Sequence, residues 1–426
     1  MQHTQNLLAG MVRRMGLTYR RIASSAKRSM NDGGAALQSL AVSESRRQQL
    51  RERLVILDDI FPQLLSAFRI AEYNRYLKQF GTAEVHSTAG AFPLVGEKRR
   101  FSEVLEEYES YYPQHRHRVY RFSARRNYES RLIYTVFINN AFRFIRIAER
   151  HNVPFVFTLY PGGGFHLYEA AVDDKVRRVC SSPTFRKVIV TQRVSYDYLV
   201  ERELCDPGKV EFIYGVVVPS DRLAKEPLAK KYYQKDKDTF DICFIAGKYT
   251  AKGVDKGYDV FVDVARLLAR RHGDILFHVV GPFDETDIEI ADIRDRVRFY
   301  GPKHTDFFPA FYAHMDIMLS LSIPFLRSPG NFDGFPTASS IEAGLCGVAV
   351  FSTDMLNLNV AFKNGHDIVI IPRDAEEVCG VVNRYYTNYD GLCELARRGQ
   401  EAFGRVFAIE TQMRPRLRVL SEYLVQ

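Results

Sequence analysis

Short apolar runs and amphipathic segments follow one another along this chain in two successive series. In the first series, residues 54–57 are continuously apolar and residues 63–80 carry apolar positions near helical spacing. An apolar run of this length is typical of a strand that is buried on both faces of a parallel sheet. The same patterns predict a second helix over 129–150 and further strands over 154–160, 188–191 and 210–214.

A second series begins at residue 240, after the polar, lysine-rich stretch 224–239. Residues 240–246 form its first predicted strand, and a helix is predicted over 257–271 because Phe261, Val264 and Leu268 lie on one helical face. The remaining predicted elements are strands 275–280, 297–300, 316–321, 348–351 and 367–371 and helices 306–313 and 338–345.

Strands that alternate with helices of this length indicate parallel sheets with helices on both faces. Two such series predict an α/β protein with two Rossmann-like, doubly wound domains that face a cleft. Ligands of these sheets bind outside the carboxyl ends of the strands, so we expect the functional site in that cleft. The predicted organisation is an extension over 1–50, a first domain over 51–223, a linker over 224–239 and a second domain over 240–426.

Composition narrows the class of protein. The chain has 426 residues, of which 46% are hydrophobic and 26% are charged, as is ordinary for a globular protein. No apolar stretch is long enough for a membrane-spanning helix, and Arg13 and Arg14 follow rather than precede the first apolar patch, unlike a secretory signal. The six cysteines include no Cys-x-x-Cys pair, which favours reduced cysteines in a cytoplasmic protein and argues against a zinc site.

Positive charge is concentrated at the N-terminus. Residues 1–31 contain six Arg or Lys and no Asp or Glu, within a chain of formal net charge +8. Beside an apolar face that includes Leu8 and Val12, these charges favour peripheral contact with an anionic membrane, although a solvated leader is an equal alternative. No nucleic-acid motif accompanies them, so nucleic acid is not predicted as a partner.

The most informative segment, residues 333–344, follows a predicted strand and opens a predicted helix. Pro336 suits a first helical turn, and Thr337 is a candidate cap. The N-terminus of such a helix suits a phosphate or a sugar hydroxyl, and Glu342, one turn inside, can accept hydrogen bonds from a ribose diol. The residues alone leave an ordinary capped helix with a surface glutamate as an alternative.

This segment resembles the signature of the retaining glycosyltransferases of family 4 (glycosyl transferase group 1). That signature has an acid before Gly-Phe, a few small residues, Glu-Ala, and Cys-Gly before a strand. The resemblance extends across about 240–372. The matching residues here are Asp333-Gly334-Phe335, Glu342-Ala343, Cys346-Gly347, Gly247-Lys248, Lys256-Gly257, Phe277–Gly281, Val297–Gly301 and Asn364-Gly365.

The resemblance implies the GT-B architecture and transfer of a sugar, with retention, from a nucleotide-sugar to a hydroxyl of a glycan or lipid-linked acceptor. Lys248 and Lys256 would hold the donor diphosphate, Asp333 the transferred sugar with Gly334 and Phe335 beside it, and Glu342 the ribose. The family generally needs no metal or other cofactor, because the leaving phosphate can take the acceptor proton. Bacterial surface polysaccharide assembly, in the cytoplasm or at the inner face of the membrane, is the role most often implied.

The chain departs from the family pattern in three places. Eight residues, rather than seven, separate the two acids, and the first acid is Asp333 rather than Glu. The two lysines are farther apart than usual, which indicates an inserted loop over Tyr249–Asp255. Where the family has a sugar-contacting His, this chain has Tyr160. We expect the loop that follows to lie across the cleft from Glu342, with its site residues being Gly163, Gly164 and His166.

Two other classes of function fit the same architecture. A nucleotide-sugar epimerase acts without an acceptor and needs acid–base side chains at the sugar, and the sequence shows no convincing set of them. A non-catalytic nucleotide- or carbohydrate-binding module is the other alternative, since the altered spacing between Asp333 and Glu342 could have cost the chain its activity.

Overall fold

The computed structural model describes residues 53–223 and 229–424. The N-terminal extension, with its predicted membrane contact, lies outside the described residues. Within the described ranges, no helix is both long enough and apolar enough to cross a membrane.

The first domain is built on a parallel sheet, which has seven strands within residues 53–223 in the order β3-β2-β1-β4-β5-β6-β7. The central strands are mostly apolar and are buried along their whole length, as expected where helices cover both faces. The strands are β1 (Leu54–Asp58), β2 (Glu84–Ser87), β3 (Val119–Arg121), β4 (Leu132–Val136), β5 (Phe155–Leu159), β6 (Phe185–Val190) and β7 (Val210–Phe212). The helices are α1 (Ala67–Gln79), α2 (Phe101–Tyr111), α3 (Ile138–His151), α4 (Ala170–Cys180), α5 (Arg193–Glu201) and α6 (Ser220–Leu223).

The second domain repeats this plan with six described parallel strands in the order β10-β9-β8-β11-β12-β13. The predicted α/β class with two doubly wound, Rossmann-like domains is therefore confirmed. The strands are β8 (Phe240–Ile245), β9 (Ile275–Val280), β10 (Val297–Gly301), β11 (Ile317–Ser320), β12 (Ala349–Ser352) and β13 (Val369–Ile370). The helices are α7 (Tyr258–Ala269), α8 (Phe308–His314), α9 (Ala338–Leu345), α10 (Ala375–Thr387), α11 (Tyr389–Phe407) and α12 (Ile409–Leu424).

The helix predicted over 129–150 is wrong in its first half, because the strand β4 occupies Leu132–Val136. This strand pairs with β1 on one side and β5 on the other. A buried apolar run has no polar face that would reveal its period, so the sheet partners decide its conformation. The amphipathic remainder, α3, is helical as predicted.

The last helix, α12, returns to the first domain. Its apolar residues Ile409, Met413 and Leu420 share a buried core with β1 and α1. Arg416, fully buried, donates to the Gly215 carbonyl, and Gln412 donates to the Tyr214 carbonyl. The final segment of the second domain predicted over 240–426 therefore packs in the core of the first domain.

Candidate active site

A cleft of about 820 Å³ separates the two domains and is lined by both. The carboxyl ends of β6, β8, β9 and β11 reach it, as the general rule for such sheets requires. The wall contributed by the second domain carries charged side chains, whereas the wall contributed by the first is mostly apolar. The apolar residues of the first-domain wall are Leu64, Leu65, Ala67, Phe68, Pro93, Leu94, Val95, Phe137, Pro161 and Val216.

Lys256 and Asp333 meet in this cleft. The Lys256 Nζ lies 2.7 Å and 2.5 Å from the two carboxylate oxygens of Asp333. Burial alone would lower the pKa of Lys256, but the Asp333 carboxylate raises it above its usual value; against the same burial, Lys256 holds the pKa of Asp333 below its usual value. The pair is therefore a charged lysine next to a charged carboxylate.

A tight approach of backbone to backbone places Lys256 there. Lys256 ends the 3₁₀ turn Ala251–Lys256, and Gly257 follows with φ +74° before α7 begins. A Cβ at Gly257 would lie 2.3 Å from the carbonyl oxygen of Leu321, just past the end of β11. Only glycine fits this contact without displacement, which fixes the lysine at the strand ends.

Lys248 follows the end of β8 and also lines the cleft. Its Nζ lies 2.8 Å from both carboxylate oxygens of Asp287, a residue of the loop after β9. Both lysines of the predicted pair thus face the cleft while each is held by a carboxylate. An entering diphosphate would compete with Asp287 and Asp333 for these cations.

Glu342 lies in the second turn of α9, with its side chain on the cleft wall and only 6% of the residue exposed. Thr337 caps this helix by accepting a hydrogen bond from the Ser340 N–H. Among the described residues, the Glu342 carboxylate has no hydrogen-bond partner. Burial raises the pKa of Glu342 to about 8. A buried acid without a partner at a cleft wall is available to a polar ligand.

The buried Glu342 should make the stability of the ligand-free protein depend on pH. The unfolded chain ionises this group near its ordinary pKa of 4.5, whereas the folded protein keeps the proton until about pH 8. The free energy of unfolding should therefore fall as pH rises across this window. Urea unfolding of Glu342→Gln alongside the parent chain should show a stability difference that favours the variant increasingly toward about pH 8. Parallel pH profiles would contradict this expectation.

Only the first part of the loop that is predicted to replace the family's His, up to Pro161, faces the cleft. Tyr160 and Pro161 line the cleft, and Gly163, Gly164 and His166 are not among its lining residues. The Tyr160 hydroxyl donates to the buried Glu72 over 2.7 Å, and burial raises the pKa of Tyr160. Tyr160 therefore offers the cleft its ring.

Gly163, Gly164 and His166 contact neighbouring side chains of the first domain. A Cβ at Gly163 would lie 2.2 Å from the Phe137 ring, and one at Gly164 would lie 2.3 Å from the Asn139 side chain. Both glycines have positive φ, so they turn the chain tightly over α3. The His166 Nδ1 lies 3.4 Å from the Glu169 carboxylate.

Sequence reasoning did not single out Gln192 and Tyr249, which line the cleft, or Asp287, which holds one of its lysines. Gln192 follows β6 and reaches across to Phe335, Asp287 holds Lys248, and Tyr249 of the inserted loop lies with its ring 5.2 Å from the Lys256 Nζ. Gln192 lies two residues after the end of β6, so the rule that ligands bind at the carboxyl ends of parallel strands could have identified it. Asp287 and Tyr249 lie in loops whose path only the folded chain sets.

The Asp58-Asp59 pair at the end of β1 is a structural element. One Asp58 oxygen accepts from the backbone N–H groups of Ile60 and Phe61, both at 2.7 Å. The other accepts from Arg69 Nε at 2.9 Å and from the Tyr73 hydroxyl at 2.8 Å. With all these bonds made inside the protein, Asp58 serves the fold of the first domain.

Comparison with known proteins places these features in a family context. Residues 240–388 match the family model of the glycosyl transferases group 1. The matched segment contains Lys248, Lys256, Asp333 and Glu342. Among curated proteins, no sequence matches this chain.

Solved structures resemble the chain over both domains. HepE from Anabaena, solved with UDP and glucose, aligns with a TM-score of 0.65 at 15% identity, covering 87% of this chain and 99% of HepE. Sucrose-phosphate synthase from Thermosynechococcus elongatus aligns at 0.56 and 15%, covering 87% and 100%. The lipopolysaccharide outer core galactosyltransferase WaaB aligns at 0.54 and 12%, covering 87% and 99%. The shared fold and the match over residues 240–388 together support a group 1 glycosyltransferase with the GT-B fold.

Proposed function

We propose that this protein is a retaining glycosyltransferase that moves a hexosyl group from a nucleotide-sugar to a hydroxyl of a glycan or lipid-linked acceptor. The observation that carries the proposal is the convergence of Lys248, Lys256, Asp333 and Glu342 in one cleft, although the first and the last are 94 positions apart in the sequence.

Each of these residues has a role in the proposed reaction. Lys248 and Lys256 bind the diphosphate and stabilise the negative charge that grows on it as the bond to the anomeric carbon breaks. Glu342 accepts hydrogen bonds from the ribose hydroxyls. Asp333, released from Lys256 when the diphosphate takes its place, contacts hydroxyls of the transferred sugar.

The proton of the acceptor hydroxyl passes to the leaving phosphate on the same face of the sugar. No separate general base is then required, and the lysines supply the positive charge that a metal supplies in other transferases. The proposed reaction is therefore independent of divalent metal.

We infer that the donor is a sugar linked to UDP and that the product serves bacterial surface polysaccharide synthesis. HepE, similar in fold, has been solved with UDP-glucose. WaaB, also similar in fold, is a lipopolysaccharide galactosyltransferase. The mostly apolar first-domain wall of the cleft fits an acceptor with an apolar portion.

A turnover assay tests the proposal. The full chain is incubated with a panel of nucleotide-sugars, with chelator, with and without glycan and glycolipid acceptors, and the release of the nucleotide and the fate of the sugar are followed by NMR. Transfer that depends on acceptor, with the anomeric configuration kept, is expected. Conversion of the donor sugar without acceptor would instead indicate an epimerase, and binding without any turnover a binding module.

We also propose that residues 1–31 attach the enzyme peripherally to an anionic membrane surface. Six basic residues without an acid carry this idea. A small apolar face binds weakly by itself, so binding should weaken as salt rises. The full chain should sediment with vesicles that contain anionic lipid, and a chain lacking residues 1–31 should not. Equal sedimentation of the two would contradict the proposal.

A further inference from the structure

The segment that carries Asp333 belongs to the second domain but is held by the first. Leu167 donates its N–H to the carbonyl of Gly330 over 2.9 Å, and the Phe165 and Phe332 rings lie 6.2 Å apart. A Cβ at Gly330 would lie 1.9 Å from the Leu167 carbonyl oxygen, so backbone touches backbone there. These contacts hold the segment 330–335 at Gly330 and Phe332, on the side that precedes Asp333.

Gln192 holds the same segment after Asp333. Its side-chain nitrogen donates to the Phe335 carbonyl over 3.3 Å, and its oxygen accepts from the Phe335 N–H over 3.2 Å. Gln192 is 2% exposed, and both bonds are buried. A Cβ at Gly334 would lie 2.9 Å from the Gln192 nitrogen, so a side chain at this position would have to displace the glutamine amide.

We propose that Gln192 is a positioning residue of this enzyme, acting through Phe335 on Asp333. Asp333 is fixed on one side by these cross-domain contacts and on the other by Lys256. A side chain that must reach a substrate works only when it is held within a fraction of an ångström, and a glutamine that pairs with both backbone groups of one residue sets position and orientation together. The inference rests on the proposed function, in which Asp333 contacts the transferred sugar.

Two variants test the proposal. Gln192→Met keeps the volume and removes both hydrogen bonds; Gln192→Glu keeps the shape. Arg222→Met is the matched control, because Arg222 also bonds across the domains, to Asp306 over 2.5 Å, but does not touch the segment 330–335.

The first readout is amide hydrogen exchange in the ligand-free protein. In Gln192→Met the segment 330–336 should exchange about tenfold faster or more, since the Phe335 N–H loses its buried acceptor. In Arg222→Met its exchange should match that of the parent chain. Unchanged exchange in Gln192→Met would overturn the proposal.

The second readout separates positioning from binding. For Gln192→Met, kcat with the nucleotide-sugar should fall about ten- to a hundredfold, while the Kd for UDP by calorimetry stays within about twofold, because Lys248, Lys256 and Glu342 all belong to the second domain. A kcat equal to that of the parent chain, or a Kd that weakens as much as kcat falls, would overturn the proposal.

The third readout is the pH profile of Gln192→Glu. Its carboxyl, when protonated, can both donate to the Phe335 carbonyl and accept from the Phe335 N–H, whereas the carboxylate can only accept. The activity of this variant relative to the parent chain should therefore recover as pH falls, and a flat ratio would count against positioning by Gln192. If the parent chain turned over no nucleotide-sugar, the proposed function would fail, while the exchange comparison would still decide whether Gln192 holds the segment.

Discussion

Replacing Lys256 with alanine is expected to lower kcat for sugar transfer by about 100- to 1000-fold, the scale of losing one fixed charge that stabilises a developing anion. Lys256 faces the cleft from the start of α7 with a raised pKa, so it is charged throughout the physiological range. The measurement is kcat at saturating nucleotide-sugar.

Two further variants serve as controls for this result. Lys252→Ala removes an exposed lysine of the same loop that has no partner among the described residues, and should leave kcat unchanged. Lys256→Ala combined with Asp333→Asn removes the unpaired carboxylate that the single variant leaves behind, and separates loss of charge from loss of fold. If Lys248→Ala and Lys256→Ala both kept full kcat and KM, the donor site would lie elsewhere.

Replacing Glu342 with alanine is expected to weaken binding of UDP-glucose by about 1.5–3 kcal/mol, the scale of hydrogen bonds to a charged group. The carboxylate faces the cleft without a partner, so a ribose diol would be its first hydrogen-bond donor. Calorimetry on the folded variant measures the loss. Glu106→Gln replaces an exposed glutamate on α2 of the first domain and is the control for replacing a glutamate outside the cleft.

The pH dependence of binding gives the same assignment a second test. Because the ribose hydroxyls bond to the ionised form of Glu342, and its pKa in the empty protein is about 8, donor affinity should increase as pH rises toward and through that value. Glu342→Gln has no proton to lose and should show no such increase. Unchanged affinity in the alanine variant, or the same pH profile in both chains, would remove Glu342 from the ribose site.

The contrast between the two acids of the motif comes from their surroundings. Asp333 and Glu342 are carboxylic acids of similar intrinsic acidity, yet the pKa of Asp333 is lowered and that of Glu342 is raised. Asp333 has Lys256 against it, while Glu342 has only burial. The extra residue between them, a departure from the family spacing, leaves both acids on the cleft wall.

Lys248, Lys256, Asp333 and Glu342, which the sequence predicts to form the donor site, line one cleft because its second-domain wall is made of strand ends and helix starts. The family resemblance singles out Lys248 after β8, Lys256 before α7 and Glu342 in α9, and the order of elements brings them together, since parallel strands bring their carboxyl ends to one edge. The sequence-based predictions were less accurate in the first domain. There β4 was predicted as helix, and the glycines after β5 pack against Phe137 and Asn139. There the deciding interactions come from residues distant in sequence.

The sequence by itself determined that the chain forms two doubly wound α/β domains, because the alternation of apolar runs and amphipathic segments is a local property of each element. It also determined which lysines and acids stand at the strand ends of the second domain. Only the tertiary structure decided that α12 completes the first domain, that each lysine of the cleft is held by a carboxylate, and that Gln192 grips the segment carrying Asp333. The physical reason is that these contacts join residues that are distant in sequence, 143 positions apart for Gln192 and Phe335 and 201 for Gly215 and Arg416, and their energy depends on how the two domains pack, which no local pattern records.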